Sequence, residues 1–313
     1  MKYVVRKIIS FIITLGLVSF LVFAAFAVIP GDPALSKLGT DATPSQLAEL
    51  REEMGLNRPL PVRFADWAAS FVQGDMGTSY SYDKPVAEMI LDKLPITLTL
   101  AVLAFLLTIL IALPLGIYAA KHEGGMADRL IYCIGQGTMA IPPFFLGILL
   151  TFFFGIVLKW FTPGGYVSYQ TDFVGFVRYL FFPALAIALP KAAMTLKLLR
   201  GSLIEQLRQD YIRTAYSRGN NTKQVLYLHA LKNAMIPVIT FLGMTLTDMI
   251  AGSIIVEQVF SVPGLGRILM TSISGRDYPV VQAVIVWIAV LVLLVNLLVD
   301  LIYKLIDPRI RME

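Results

Sequence analysis

The sequence predicts an all-α polytopic membrane protein with six transmembrane helices, and three observations carry that prediction. Composition is the first: 57% of the 313 residues are hydrophobic, mean hydropathy is +0.73, and 15% are charged, against about 25% in a soluble domain. Segregation of charge is the second. Ile8–Ile29, Pro95–Ala120 and Leu130–Leu158 hold no Asp, Glu, Lys or Arg over 22, 26 and 29 residues, and each exceeds the ~20 residues that cross about 30 Å of hydrocarbon. The third is the sidedness of the basic residues, counted below.

The first element, residues 1–30, opens MKYVVRK and ends near Ala25-Phe26-Ala27, as a cleavable signal would. Its apolar run of 22 residues is longer than the ~7–15 of a signal core, so it is expected to remain as the first span. Residues 31–94 form the longest polar segment, 64 residues, too short for a second soluble domain beside its membrane anchors. Within it Thr43-Pro44-Ser45-Gln46 reads as a capping box with proline at the first helical position. Leu47, Leu50 and Met54 share a helical face and Gly55 suits the stop. Asn57–Pro61 extends the chain. Phe64, Trp67, Phe71 and Val72 then predict a second amphipathic helix, its aromatic stripe packed on the membrane helices.

Spans two and three follow at Pro95–Ala120 and Leu130–Leu158. Gly135, Gly137 and Ala140 fit a dinucleotide fingerprint by spacing, but they lie inside an apolar span, where glycines serve close helix packing. Three further spans carry single charges: Tyr179–Leu196 with Lys191, Ala234–Val256 with Asp248, and Pro279–Val299 ending at Asp300. Pro114, Pro142, Pro143, Pro183, Pro190 and Pro237 predict kinked helices.

With the N-terminus inside, the cytoplasmic segments hold 15 Lys/Arg and the short outer loops hold four: Lys159, Arg178, Arg267 and Arg276. That bias places both termini in the cytoplasm and accounts for the formal charge of +5 without a nucleic-acid partner. Segment 31–94 is net negative and is expected outside.

Arg200–Lys232 is the stretch that demands a partner. A bare connector would be short, because ordered loop residues cost entropy without burying anything. This one spans 33 residues with six Lys/Arg against Glu205 and Asp210, and it reads as helix, Gly-Asn-Asn turn, helix. Its Arg and Lys also suit anionic headgroups, with Lys197 and Arg200 expected nearer the lipid.

Catalytic constellations are missing from the sequence. Cys133 stands alone, His122 and His229 have no metal-ligand spacing, and no G-x-x-x-x-G-K-[ST] loop occurs. Any use of ATP would therefore pass through another subunit. Asp248 lies mid-span, where an unpaired charge costs at least ~2.5–3.5 kcal/mol. It is expected either to line a translocation path or to bond a neighbouring helix, through Lys191.

The 200–232 segment resembles the cytoplasmic coupling loop of ABC-importer permeases. The general motif, E-A-A then three residues then Gly, is met by Ala215 and Gly219, with Arg213 in place of the acid. A subfamily version fits better: Asp210-Tyr211-Ile212-Arg213-Thr214-Ala215, Gly219, and His229–Pro237 are similar to the first permease of peptide and nickel importers. Pro30–Ala34, Gly55–Leu60, Gly74–Gly77, Pro85-Val86, Asp128–Leu130, Val259–Arg267, Arg276–Val280 and Asp307–Arg311 extend the resemblance along the whole chain.

The resemblance implies a type I ABC importer transmembrane domain (95–313) with a cytoplasmic coupling helix. It also implies a second homologous permease subunit, two ATPases that bind ATP and Mg, and an extracytoplasmic substrate-binding protein. No cofactor is expected in this chain. Asp210, Tyr211, Arg213, Thr214, Ala215, Tyr216, Ser217, Arg218 and Gly219 would contact the ATPases, and Asp248 would line the path. Peptides are the leading substrate class, with nickel or metal chelates and glutathione as alternatives within the family. A stand-alone secondary transporter is the alternative of another class, but the sequence carries no evident inverted repeat.

Overall fold

The structure, a computed structural model, describes residues 2–28, 33–38 and 42–306. Pro30-Gly31-Asp32 and Asp307–Arg311 lie outside the described residues. Among those described every regular element is a helix, joined by turns and loops, and the one β feature is an isolated bridge between Thr78 and Pro85.

Two compact units are distinguishable. The first comprises residues 1–97 and 263–297. It begins with α1 (Lys2–Val28) and the short α2 (Pro33–Leu38). The capping box then forms as expected: Thr43 Oγ1 accepts from the Gln46 N–H and Gln46 Oε1 accepts from the Thr43 N–H, starting α3 (Pro44–Glu53). The chain leaves α3 through Gly55 at φ +63°. The amphipathic helix α4 (Leu60–Val72) packs Phe64 and Trp67 edge-on or tilted against Phe20 and Phe23 of α1. The aromatic stripe is therefore packing, but Val72, 88% exposed, is not part of it. The next long helix, α5, runs over Val86–Lys121, so the boundary expected at Leu94 falls inside a helix.

The second unit comprises residues 98–262 and 298–313. Here the third expected span differs from a straight crossing. Helix α6 (Met126–Ala140) ends at Ile141, and after a 104° bend α7 (Pro143–Leu150) begins and runs on as a π-helix over Thr151–Val157. The cause is local. Pro142 and Pro143 both lack an N–H, and Ile141 before them is forced extended, at φ −94° and ψ 124°. Helix α8 (Phe173–Leu207) continues through Pro183 and Pro190, and α5 through Pro114, so those prolines do not end their helices. Among the described residues, five helices are long and apolar enough to span a membrane, six if the bent pair counts as one span.

The remaining elements are α9 (Asp210–Ser217) and α10 (Thr222–Gln224), which runs through a π-helical turn (Val225–Ala230) into α11 (Leu231–Phe260). Then come α12 (Leu265–Ser274) and α13 (Tyr278–Ile306). Close approach in the second unit is tightest between helices at Gly116 and Gly147: a Cβ on Gly116 would sit 3.0 Å from Leu199, and one on Gly147 would sit 2.9 Å from the Phe260 ring. Of the fingerprint glycines, Gly135 faces Ala193 at 3.8 Å and Gly137 meets open space. The Tyr179 hydroxyl donates to the Phe260 carbonyl, fastening α8 to the end of α11.

Candidate functional site

The polar segment divides differently from a free-standing loop. Arg200–Leu207 belongs to α8, and the break falls at Arg208-Gln209. Helix α9 is then strongly two-faced. Ile212 and Ala215, three apart, turn inward onto Leu199, Leu203 and Ile204 of α8 and onto Val225, Leu226, Ala230 and Ala234. Asp210, Tyr211, Arg213, Thr214, Tyr216, Ser217 and Arg218 turn outward. The small size of Ala215 is thus set by packing within this chain, not by the exposed face.

Both ends of the turn are satisfied. The Gly219 N–H donates to the Tyr216 carbonyl and the Asn220 N–H to the Ala215 carbonyl, a Schellman closure with Gly219 at φ +82°. Asn221 then caps the next helix in a reciprocal box with Gln224. The Tyr211 hydroxyl donates to Gln206 Oε1 at 2.8 Å. Arg213 and Asp210 lie 3.5 Å apart, but both are more than four-fifths exposed, so the pair contributes little. Tyr227 and Leu228, on the far side of the turn, are also exposed.

Two ion pairs brace this region. Arg200 grips Asp128 with two parallel hydrogen bonds, from Nε to Oδ1 and from Nη2 to Oδ2 at 2.7 Å, while the Gly124 N–H donates to the same carboxylate. Asp128 is almost wholly buried. Arg200 therefore clamps α6 to α8, a partnership the sequence reading did not assign. Arg208 pairs with Glu123 at 2.8 Å. Within the membrane, Lys191 of α8 donates to Asp248 of α11 at 2.8 Å. The Asp248 side chain is 62% exposed and that of Lys191 24%, so the carboxylate is both paired and accessible.

The first unit holds a site that the sequence reading missed. Asp277 is fully buried and accepts from the Ser79 hydroxyl and from the N–H groups of Tyr80 (3.1 Å) and Ser81 (3.2 Å). It pins the 78–85 turn to the start of α13. Burial, reinforced by Asp277, pushes the Tyr80 phenol up to about 12.

Comparisons with known proteins agree along the chain. Residues 112–312 match the family described as the binding-protein-dependent transport system inner membrane component, and residues 1–101 match its N-terminal family. Among curated relatives, a protein named a probable peptide ABC transporter permease, from Sinorhizobium fredii, is 38% identical over 99% of both chains. An oligopeptide transport system permease protein of Bacillus subtilis is 36% identical over 98% of both. A glutathione transport system permease protein of Escherichia coli is 36% identical over 99% of both. Among solved structures, a chain of the MetNI methionine ABC transporter in inward-facing conformations aligns with TM-score 0.57 and 18% identity, covering 70% of this chain and 96% of that one. At that identity it speaks for the fold alone.

Proposed function

We propose, from the premise that the chain belongs to the family of binding-protein-dependent transport system inner membrane components, that it forms half of the translocation pathway of an ATP-driven peptide importer. The other half would be a second homologous permease. Two cytoplasmic ATPases would bind ATP and Mg, and an external binding protein would deliver di- or oligopeptides. The full-length relatives named for peptide and oligopeptide transport support that substrate class. Glutathione, itself a short peptide, falls within it. The basic bias of 15 against four supports cytoplasmic termini and a cytoplasmic α9.

The observation that carries the reading is the construction of α9. It is bolted by Ile212 and Ala215 onto the ends of two long membrane helices and presents seven polar or aromatic side chains outward. A helix seated in an ATPase groove through that face would move α8 and α11 as a unit, because its apolar face is continuous with theirs. Asp248, paired yet accessible, would line the path and favour ammonium groups, with Lys191 as its partner when no substrate is near.

The test is reconstitution. The chain, its neighbouring permease, the two ATPases and the binding protein are co-expressed, and uptake of a radiolabelled dipeptide into proteoliposomes is followed. Uptake should require ATP and every component, and the purified chain alone should hydrolyse none. ATP turnover by the chain alone, or uptake without the ATPases, would overturn the proposal.

A further inference from the structure

A cavity of about 390 Å³ opens in the first unit, walled by α1, the α3–α4 pair, the 74–80 turn and the first residues of α13. Its size lies in the range of small-molecule sites, and neither family membership nor the coupling surface gives it a role. Five charged side chains reach it, and they are unevenly matched. Arg58 is paired with Asp66 at 3.3 Å. Arg63 lies 5.8 Å over the ring of Phe23 and, among the described residues, has no carboxylate at ion-pair distance. Glu53 has no basic partner among those residues either, and Asp75 spends one oxygen on the Gly77 N–H, at 2.9 Å. Trp67 and Tyr80 add aromatic surface.

The walls are fixed by contacts outside the cavity. Asp277 holds the backbone of Tyr80. The Trp287 indole N–H donates to the Met76 sulfur at 3.4 Å, and Phe23 and Trp67 pack at 5.6 Å. Gly77, at φ +80°, brings the turn close to Pro279. Among the described residues, one guanidinium without an ion-pair partner and two carboxylates without a basic one line an aromatic-walled space, and together they complement a molecule that carries both charges at fixed separation. A guanidinium forms strong charge-assisted bonds to a carboxylate, and acids flanked by aromatic rings suit an ammonium.

We propose that this cavity is a binding site for the zwitterionic backbone of a short peptide, Arg63 taking the carboxylate and Glu53 with Asp75 the ammonium. The placement of the cavity on the outer face rests on the import reading. There it would hold peptide on the permease.

The probe is dialanine, with N-acetyl-dialanine amide as the analogue that lacks both charges. Binding is read by saturation-transfer NMR on the full chain in lipid nanodiscs, with no binding protein and no ATP. Dialanine should bind and the neutral analogue should not. Arg63→Gln should weaken dialanine about tenfold, the scale of one charge-assisted contact, while Arg63→Lys retains most of it and so excludes misfolding as the cause. Absence of dialanine binding, equal binding of the neutral analogue, or an unchanged Arg63→Gln would each overturn the proposal. ATPase copurification and uptake are measured on the same variants. Failure of the import reading appears there and leaves the binding result standing on its own.

Discussion

Asp277 and Asp248 show how differently two carboxylates are employed in one chain. Asp277 is sealed from solvent and accepts three hydrogen bonds from Ser79, Tyr80 and Ser81, so removing it strands the buried Ser79 hydroxyl and two part-buried N–H groups. Asp277→Ala should cost about 2–3 kcal/mol and free the 78–85 turn. Limited proteolysis within that turn should accelerate, while Asp277→Asn falls between the two. Asp248 is exposed despite its bond to Lys191. Asp248→Asn keeps the shape and much of the hydrogen bond, so the complex should assemble with uptake reduced. Normal uptake by an intact complex would assign Asp248 to helix pairing alone. The Lys191 partnership is legible in the sequence as one of two options, because both residues stand out as charges in apolar runs. Asp277 and the Asp128–Arg200 clamp are not. Their partners lie 198 and 72 positions away, and polar residues in polar stretches give no periodic signal.

At the scale of elements, local chemistry is the most readable. The Thr43–Gln46 capping box, the Gly55 exit and the Gly219 turn are settled by neighbours within a few residues, which is why residue order alone reveals them. The bend at Pro142-Pro143 is visible there only as a kink, because hydropathy counts apolar residues and is blind to direction. Helix ends escape the sequence for a related reason: α5 and α8 extend into polar sequence at Val86 and Leu207, held by tertiary packing that composition does not report. The same packing makes a prediction. Gly116 admits Leu199 so closely that a Cβ would lie 3.0 Å away. Gly116→Val should therefore cost about 1–3 kcal/mol through overpacking, read as a lower midpoint in a size-exclusion thermostability assay. Gly137→Ala, inside α6 and facing open space, should keep that midpoint or raise it slightly, since Ala favours the helix over Gly.

For the whole molecule, a charge bias, a family and a surface helix converge on one arrangement. The bias predicts that Ser217 is cytoplasmic and Ser45 external. In a Cys133→Ala background, an impermeant thiol reagent should label Ser45→Cys but not Ser217→Cys in cells whose outer surface is accessible. In the proposed importer, α9 and its turn transmit ATPase motion to the membrane helices. Gly219 sits exposed at φ +82°, and a Cβ there would meet nothing within 4 Å. Aspartate adopts positive φ more often than most residues, so Gly219→Asp should add a charge at the contact for a backbone cost of about 1–2 kcal/mol, too little to unfold the turn. The most direct measurement is copurification of the ATPases with membrane-inserted Gly219→Asp, scored together with peptide-stimulated ATP hydrolysis. Coupling through α9 predicts a stable subunit that retains little ATPase and shows no stimulation. Copurification and stimulation equal to those of the parent chain would contradict it.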